Sequence, residues 1–266
     1  MKRLADICSK FYLGLIFLFL YAPIGVLVAL SFNESRSRAH WSGFSLRWYA
    51  ELFKDPEIMK ALYYTLLVAA LSAFLASVIG TLGAIGIDRM TKTQKKIAMN
   101  ITNIPVMNPD IVTGVSMMIL FVFAFSLFNA GSLGFGTLLL SHVTFNAPYA
   151  ALAVLPKLRS LDSRMYEAAL DLGATPRSAF FKVIFPEIAP GIISGALLSF
   201  TLSVDDFVIS FFTTGAGVNT LSILIYSMAR RGINPKINAL SAIMFLVVIV
   251  MLYIVDKRQR PKTEKL

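Results

Sequence analysis

The chain has 266 residues, of which 56% are hydrophobic and only 15% are charged, and its mean hydropathy is +0.70. Soluble domains carry about 25% charged residues, so this composition excludes an ordinary soluble domain and indicates a membrane protein. The net charge of +10 is compatible with nucleic-acid binding, but the chain has no basic motif interleaved with aromatic residues. We therefore expect the lipid bilayer as its surroundings and no nucleic acid among its partners.

Six apolar segments are predicted to cross the membrane as helices. The first, 11–32, has 22 residues without a charge, enough at about 1.5 Å per residue to cross a hydrocarbon core of about 30 Å. It exceeds the apolar part of a signal peptide, about 7–15 residues, so we interpret it as an uncleaved anchor. The other segments are 62–87, 101–128, 133–155, 188–213 and the shorter 238–255. The sequence thus predicts an all-α membrane protein with one transmembrane domain, 1–266.

The basic residues between these segments predict the orientation of the chain. Of the 25 Lys and Arg residues, 17 fall at the two termini and in the loops after the second and fourth segments. Loops on the cytoplasmic side carry the excess of basic residues. Both termini and the loop 157–187 are therefore predicted to be cytoplasmic, and the net positive charge follows from this topology.

Three carboxylates fall inside the predicted spans. Asp110 follows two prolines in "NIPVMNPDIV", where Asn108 is a further polar candidate, and Asp205 and Asp206 are adjacent in "TLSVDDFVIS". A carboxylate in a span costs at least about 2.5–3.5 kcal/mol at its centre and usually marks a pathway or a paired site. Neighbouring aspartates on a helix point about 100° apart, so one can meet a backbone amide while the other faces a cavity. Internal pairing or a place at the outer interface is the alternative.

A second polar cluster, Ser141, His142 and Asn146, falls in the fourth segment. A hydrogen-bonded contact between helices explains it more simply than a proton relay or a catalytic dyad. The chain has no G-x-S-x-G turn, no phosphate-binding G-x-x-x-x-G-K-[ST] loop and no Cys or His spacing suited to a metal. We therefore predict no catalytic residue, no metal site and no cofactor bound by this chain.

The loop 157–187 contains its own signals for two short helices. Tyr166 to Leu172 are helix formers, and Gly173 is a natural stop because glycine accepts the left-handed backbone conformation. Thr175 followed by Pro176 is typical of the cap and first turn of the next helix. The sequence predicts helix, sharp turn and helix on the cytoplasmic face, with the solvated connecting loop as the alternative.

The residues of this loop resemble a motif of the permease subunits of binding-protein-dependent ABC importers. That motif has the order EAA, three residues, G, nine residues and an I-x-L-P ending. Here Glu167, Ala168 and Ala169 are followed by Gly173 at the usual spacing, and Pro186 closes "VIFP", in which Phe185 stands where Leu is usual. Further stretches, among them "YAPIGVLVALSFNES", "LSFTLSVDDFVIS" and "IYSMARRGINPKINAL", are similar to permeases of spermidine/putrescine importers.

This resemblance implies a type I ABC importer (MetI-like) permease fold in a bacterial inner membrane. It also implies a second homologous permease, a dimer of ATP-binding subunits that use the ATP, and an extracytoplasmic binding protein as partners. Glu167, Ala168, Ala169, Gly173 and Pro186 then belong to the surface that couples the permease to the ATPase. Asp110, Asp205, Asp206 and Asn108 become candidates for the cargo pathway, since polyamine nitrogens carry positive charge.

Three other functions stay open from the sequence. The same machine could carry another solute, such as ferric ion, an amino-acid derivative or thiamine. An ion-coupled secondary transporter would use Asp110 and His142 as proton sites and need no ATPase. An intramembrane enzyme would depend on His142 and Ser141.

Overall fold

The computed structural model describes residues 2–35, 40–129, 131–231 and 235–259. Within these ranges the protein is built from helices. They are α1 Lys2–Ser31, α2 Arg47–Phe53, α3 Pro56–Arg89, α4 Lys92–Met107, α5 Asp110–Phe128, α6 Phe135–Ser160, α7 Ser163–Asp171, α8 Pro176–Ala179, a π-helical turn Phe180–Ile184, α9 Phe185–Asp205, α10 Val208–Thr213, α11 Leu221–Arg231 and α12 Pro235–Gln259. The prediction of an all-α chain is confirmed.

Five helices are long and apolar enough to cross a membrane, and a shorter apolar helix adds a sixth segment. The five are Lys10–Ser31, Pro56–Arg89, Asp110–Phe128, Phe135–Ser160 and Pro176–Asp205, and the shorter one is Pro235–Val250. The chain is therefore a multi-pass membrane protein. Five of the basic residues used to predict orientation, Arg36, Arg38, Arg260, Lys262 and Lys265, lie outside the described residues.

The chain divides into two compact units, 1–59 with 225–250, and 60–224 with 251–266. In the first unit, the segment after α1 is tied to α2 by hydrogen bonds. The buried indole of Trp48 donates to the carbonyl oxygen of Asn33 at 2.7 Å, and the hydroxyls of Ser31 and Tyr49 lie 2.7 Å apart. These bonds satisfy a carbonyl just beyond α1 and the hydroxyl of its last residue, and they fix α2 beside the end of α1.

An ion pair between Asp55 and Lys236 joins α12 to the start of α3 within the first unit, with Nζ 3.1 Å from Oδ2. Partial burial raises the pKa of Asp55, but the hydrogen bond and charge of Lys236 and the N–H groups of Ile58 and Glu57 outweigh it. The net effect holds the pKa of this carboxyl below its usual value. Asp55 therefore stays ionised and paired near neutral pH.

Small residues let three helices of the second unit approach closely around Ala150. A Cβ on Gly195 of α9 would lie 3.1 Å from the Ala150 Cα, and one on Gly80 of α3 would lie 2.7 Å from the Ala150 Cβ. Gly191, four residues before Gly195, packs against Val154, four residues after Ala150. Because the numbering falls along α9 as it rises along α6, the two helices run antiparallel. Side chains at these glycines would force the helices apart, and van der Waals packing is a main force between helices in lipid.

The third predicted span, 101–128, is not one helix. Residues 101–107 complete α4, which begins at Lys92 behind a Thr91–Gln94 capping box, and a new helix begins at Asp110. The reason is local: Pro109 has no N–H to continue the ladder, and it disfavours the helical conformation of Asn108, which is extended with ψ of 142°. Asp110 is thus the first residue of α5 rather than a residue nine positions into a span.

The fifth predicted span, 188–213, is broken as well, and it begins earlier. The helical path starts at Pro176 and passes through the π turn, where the backbone N–H of Phe185 donates to the carbonyl of Phe180, five residues earlier. It ends at Asp205, and α10 starts at Val208. Hydropathy could not detect this break, since apolar residues continue on both sides of it.

Candidate functional site

The two breaks bring the three aspartates of the predicted pathway to one cavity of about 290 Å³ in the second unit. Its lining is formed by Asp110, Phe145, Thr201, Leu202, Asp205, Asp206, Phe207 and Val208. Three of these residues are acidic and none is basic. The cavity therefore has a strongly negative wall beside two aromatic rings, which suits a cationic group.

Asp205 occupies an unfavourable place for a carboxylate. It is the last residue of α9, its side chain is exposed, and the last turn of the helix contains no basic residue. A helix carries partial negative charge at its C-terminus, where a cation gains about 0.3–1 kcal/mol and an anion loses a similar amount. Among the described residues Asp205 has no ion-pair partner. A cation entering the cavity would relieve this repulsion.

Asp110 lies at the opposite kind of helix end. As the first residue of α5 it benefits from the partial positive charge of a helix N-terminus, and its side chain is exposed. Within the described ranges no basic side chain pairs with it. Asp110 and Asp205 are therefore two accessible carboxylates on different helices that line one cavity.

Asp206 is held by the protein itself. Its Oδ1 accepts a hydrogen bond from the Ile209 N–H at 3.2 Å, and its Oδ2 accepts one from the Ser210 N–H at 2.7 Å. The side chain is 8% exposed. It therefore caps the first turn of α10, while Asp205, the last residue of α9, exposes its carboxylate to the cavity. The helix ends between the two aspartates, so the helical spacing of about 100° does not apply to them.

Asn108 does not line the acidic cavity. It borders a second cavity of about 280 Å³ with residues of α4 and α5, and Phe145 is the residue that lines both. Phe207 lies beside Phe211 with ring centroids 5.4 Å apart. Phe145 and Thr201 were missed by the sequence reasoning because nothing in their neighbours distinguishes them from other residues of an apolar helix.

The polar cluster of the fourth span divides into separate contacts. Ser141 donates to the Thr137 carbonyl of its own helix at 2.8 Å. His142 instead contacts Ser203 through Nδ1 at 2.6 Å and Ser210 through Nε2 at 2.9 Å. The preferred prediction, a hydrogen-bonded contact between helices, is confirmed for His142. Ser141 does not pair with His142, as the alternative of an intramembrane enzyme would require, because its hydroxyl bonds within its own helix.

Asn146, the third member, is fully buried, and its amide has no hydrogen-bond partner among the described residues. Ser199 is equally buried and equally unpartnered there. Asn146 lies one turn after His142 on α6, and Ser199 lies one turn before Ser203 on α9. Because the two helices are antiparallel and His142 contacts Ser203, Asn146 and Ser199 face each other across the helix interface.

The segment between the fourth and fifth predicted spans folds as the sequence predicts, with a helix, a sharp turn and a second helix. The helix α7 begins behind Asp162, whose side chain accepts from the Arg164 N–H at 2.9 Å. It ends at Asp171, and Gly173, two residues later, has φ of 84°. The N–H groups of Gly173 and Ala174 close the turn on the carbonyls of Leu170 and Ala169 at 2.9 and 3.0 Å, and this double closure is a Schellman motif.

The second helix of this segment starts at its own cap. The Thr175 hydroxyl accepts from the Ser178 N–H at 3.3 Å, and Pro176 occupies the first helical position. Its missing N–H costs nothing there, because the first N–H groups of a helix have no helical acceptor. The predicted cap at Thr175 and the predicted first-turn position of Pro176 are both confirmed. Local hydrogen bonds therefore define both the turn and the start of the second helix.

The exposed face of this segment combines small, acidic and apolar side chains. Glu167, Ala168 and Gly173 are exposed, Leu172 is 88% exposed and Phe181 is 63% exposed. Pro186 is exposed as well, whereas Ala169 is half-buried. Large apolar side chains that protrude beside a compact polar turn are typical of a surface that a partner protein covers.

Comparison with known proteins gives consistent results. The family described as binding-protein-dependent transport system inner membrane component matches residues 76–265. The putrescine transport system permease protein PotI of Escherichia coli (strain K12) is 44% identical over 230 residues, which is 85% of this chain and 82% of the relative. The spermidine/putrescine transport system permease protein PotC of Haemophilus influenzae is 39% identical over 248 residues, 91% and 95% of the two chains.

Solved structures confirm the predicted fold. A crystal structure of a bacterial ABC transporter involved in the import of alginate contains a chain with a TM-score of 0.72 and 17% identity, covering 99% of this chain and 98% of that one. The methionine transporter MetNI, in an inward-facing form, has one with a TM-score of 0.59 and 22% identity over 82% of this chain and all of that one. This protein belongs to the family of inner membrane components of binding-protein-dependent transport systems.

Proposed function

We propose that this chain is a permease subunit of an ATP-driven importer of polyamines in a bacterial inner membrane, with both termini in the cytoplasm. The observation that carries the cargo is the acidic cavity. It joins the exposed carboxylates of Asp110 and Asp205, has no basic lining residue, and includes the rings of Phe145 and Phe207. The names of two similar permeases, for putrescine and for spermidine and putrescine, point to the same cargo.

The cavity matches the chemistry of a polyamine better than that of an anion. A polyamine is a flexible chain of methylene groups between positively charged nitrogens. Carboxylates at two different helix breaks offset part of the cost of moving each charge through a low-dielectric region. Aromatic faces accept both ammonium and methylene groups. Helix ends exposed at mid-membrane breaks serve the same purpose in other transporters, where C-terminal ends coordinate cations.

The exposed face of 162–186 supplies the coupling in this proposal. Two ATP-binding subunits use the ATP, and one of them seats this face through Glu167, Ala168, Ala169, Gly173 and Pro186. A second, homologous permease completes the pathway, and an extracytoplasmic binding protein delivers the polyamine. ATP-driven closure of the ATPase dimer would move the coupling face, and the spans joined to it would open the acidic cavity to the outside.

Uptake of radiolabelled spermidine and putrescine tests the proposal, in cells that lack their own polyamine importers and receive this chain with its partner subunits. We expect saturable uptake that is lost on Glu167→Lys in the coupling face. The matched control is Lys96→Glu, another charge reversal at an exposed residue, on α4 and outside that face. Uptake of neither amine by an assembled complex would refute the polyamine cargo, and equal loss in both variants would refute the coupling role.

A further inference from the structure

A single buried side chain joins the two ends of the break in the fifth span. His142 on α6 contacts Ser203 on α9, three residues before Asp206, and Ser210 on α10, four residues after it. His142 is 2% exposed, Ser203 is 4% exposed and Ser210 is fully buried. The imidazole thus reaches across the position where the backbone ladder is interrupted, and no backbone hydrogen bond of α9 does the same.

One arrangement of protons satisfies all the partners of His142. The Ser72 Oγ on α3 lies 3.1 Å from the Ser203 Oγ and 3.2 Å from the Ala69 carbonyl oxygen. When Ser72 donates to Ser203, the Ser203 hydroxyl donates to Nδ1 of His142. A neutral imidazole then carries its proton on Nε2 and donates to the Ser210 Oγ. The same Nε2 lies 3.5 Å from Oδ2 of Asp206. A neutral histidine therefore satisfies both serine partners. The hydrogen bonds form a chain from Ser72 on α3 through Ser203 and His142 to Ser210 on α10.

This network also determines where the accessible carboxylates stand. Ser210 belongs to α10, and α10 packs closely against Gly114 of α5, where an added Cβ would lie 3.1 Å from the Phe212 ring and 3.4 Å from the Ile209 Cα. Gly114 lies one helical turn after Asp110. Fixing α10 against α9 therefore fixes Asp110 of α5 relative to Asp205 at the end of α9.

We propose that His142 is a positioning residue of the cargo pathway, which holds the broken span at the angle that places Asp110 and Asp205 around one cavity. It does not itself meet the cargo. Serine, histidine and aspartate in this order resemble a hydrolytic triad, but Ser203 and His142 are buried between helices and offer no surface to a substrate. The consequence for transport rests on the proposed function, whereas the geometry can be tested without it.

The test uses the assembled importer with Cys8, the only cysteine, replaced by serine and a new thiol introduced by Asp205→Cys. The thiol is modified by a cationic thiosulfonate and by a neutral one, and the ratio of the two rates measures the negative field at position 205. We expect His142→Ala to lower this ratio about fivefold, as a displaced unit charge would. Asp110→Asn provides the reference for a lost carboxylate.

Two further variants separate positioning from general damage to the fold. Ser210→Ala removes only the far contact of His142 and should lower the ratio in the same direction. Ser141→Ala removes a hydroxyl from the neighbouring buried residue, which bonds only within its own helix, and should leave the ratio unchanged. An unchanged ratio in Ser210→Ala and in assembled His142→Ala would overturn the proposal, as would an equal fall in Ser141→Ala.

If the native complex imports no polyamine, the proposed function fails, while the ratios of modification rates still decide the role of His142.

Discussion

The coupling segment 162–186 and the acidic break at Asp205 and Asp206 are built in contrasting ways. The coupling segment is exposed and held by hydrogen bonds between residues no more than five apart, as in the turn closed by Gly173 and Ala174. The break is held by long-range bonds, since Ser72 and Ser203 are 131 residues apart and His142 and Ser210 are 68 apart. The turn of the coupling segment is closed by its own neighbours in the sequence, whereas the break depends on side chains of α3 and α6.

Because the two regions are stabilised differently, we expect substitutions in them to cause different defects. A change in the coupling segment should leave the membrane helices intact but disconnect them from ATP hydrolysis. A change at the break should leave the coupling face intact but alter the path of the cargo.

The largest effect is expected from Gly173→Val. The residue has φ of 84° with no atom within 4 Å of an added Cβ, so the cost is conformational, about 1–2 kcal/mol for a left-handed residue and more for a β-branched one. We expect polyamine uptake near background with normal insertion. Gly173→Asn is the matched control, because asparagine adds bulk at the same place but tolerates this conformation. Equal loss in both would show that bulk, not backbone shape, matters there.

Asp205→Asn should have the next largest effect. Removing a carboxylate beside a passing cation raises the barrier by about 1–2 kcal/mol and slows uptake about tenfold. Asp205→Glu, which keeps the charge, should retain most of the uptake. Initial rates of putrescine and spermidine uptake measure both. Similar rates for the Asn variant and the native protein would remove Asp205 from the cargo pathway.

Asp206→Asn should be milder than Asp205→Asn, because an asparagine oxygen still accepts an N–H bond from the first turn of α10. Asp206→Ala loses the cap, which costs about 1 kcal/mol of stability. Thermal unfolding of the purified complex and uptake should therefore fall together in the Ala variant. If Asp206→Asn abolishes uptake at unchanged stability, Asp206 is a cargo carboxylate in its own right.

Asp55→Asn, in the other unit and outside both regions, should have the smallest effect. The pair with Lys236 is partly exposed, so its loss should cost at most about 1 kcal/mol. Because the pKa of Asp55 is lowered in the folded state, the pair stabilises the protein above the carboxyl's unfolded pKa and loses this contribution as pH falls through the folded pKa. Unfolding curves of native and Asp55→Asn protein should therefore differ at pH 7 and converge in strong acid. A constant difference would contradict this.

The sequence alone predicts the two regions unequally, and the same contrast explains why. The cap at Thr175, the turn at Gly173 and the small residues around it are encoded within a few positions, so local rules sufficed for the coupling segment. The break at Asp206 has no such signal, because "SVDDFVIS" continues the apolar pattern on both sides. Likewise Ser72, Ser203 and Ser210 could not be connected to His142 before the helices that carry them were placed in space.

One measurement tests the division between coupling and cargo most directly. Polyamine uptake and binding-protein-stimulated ATP hydrolysis would be recorded in the same proteoliposomes, containing the assembled complex with either Asp205→Asn or Gly173→Val. We predict that Asp205→Asn lowers uptake about tenfold while ATP hydrolysis continues at nearly the native rate, and that Gly173→Val lowers both. A fall of uptake and hydrolysis by the same factor in Asp205→Asn would contradict the account, because the acidic break would then act on coupling rather than on the cargo.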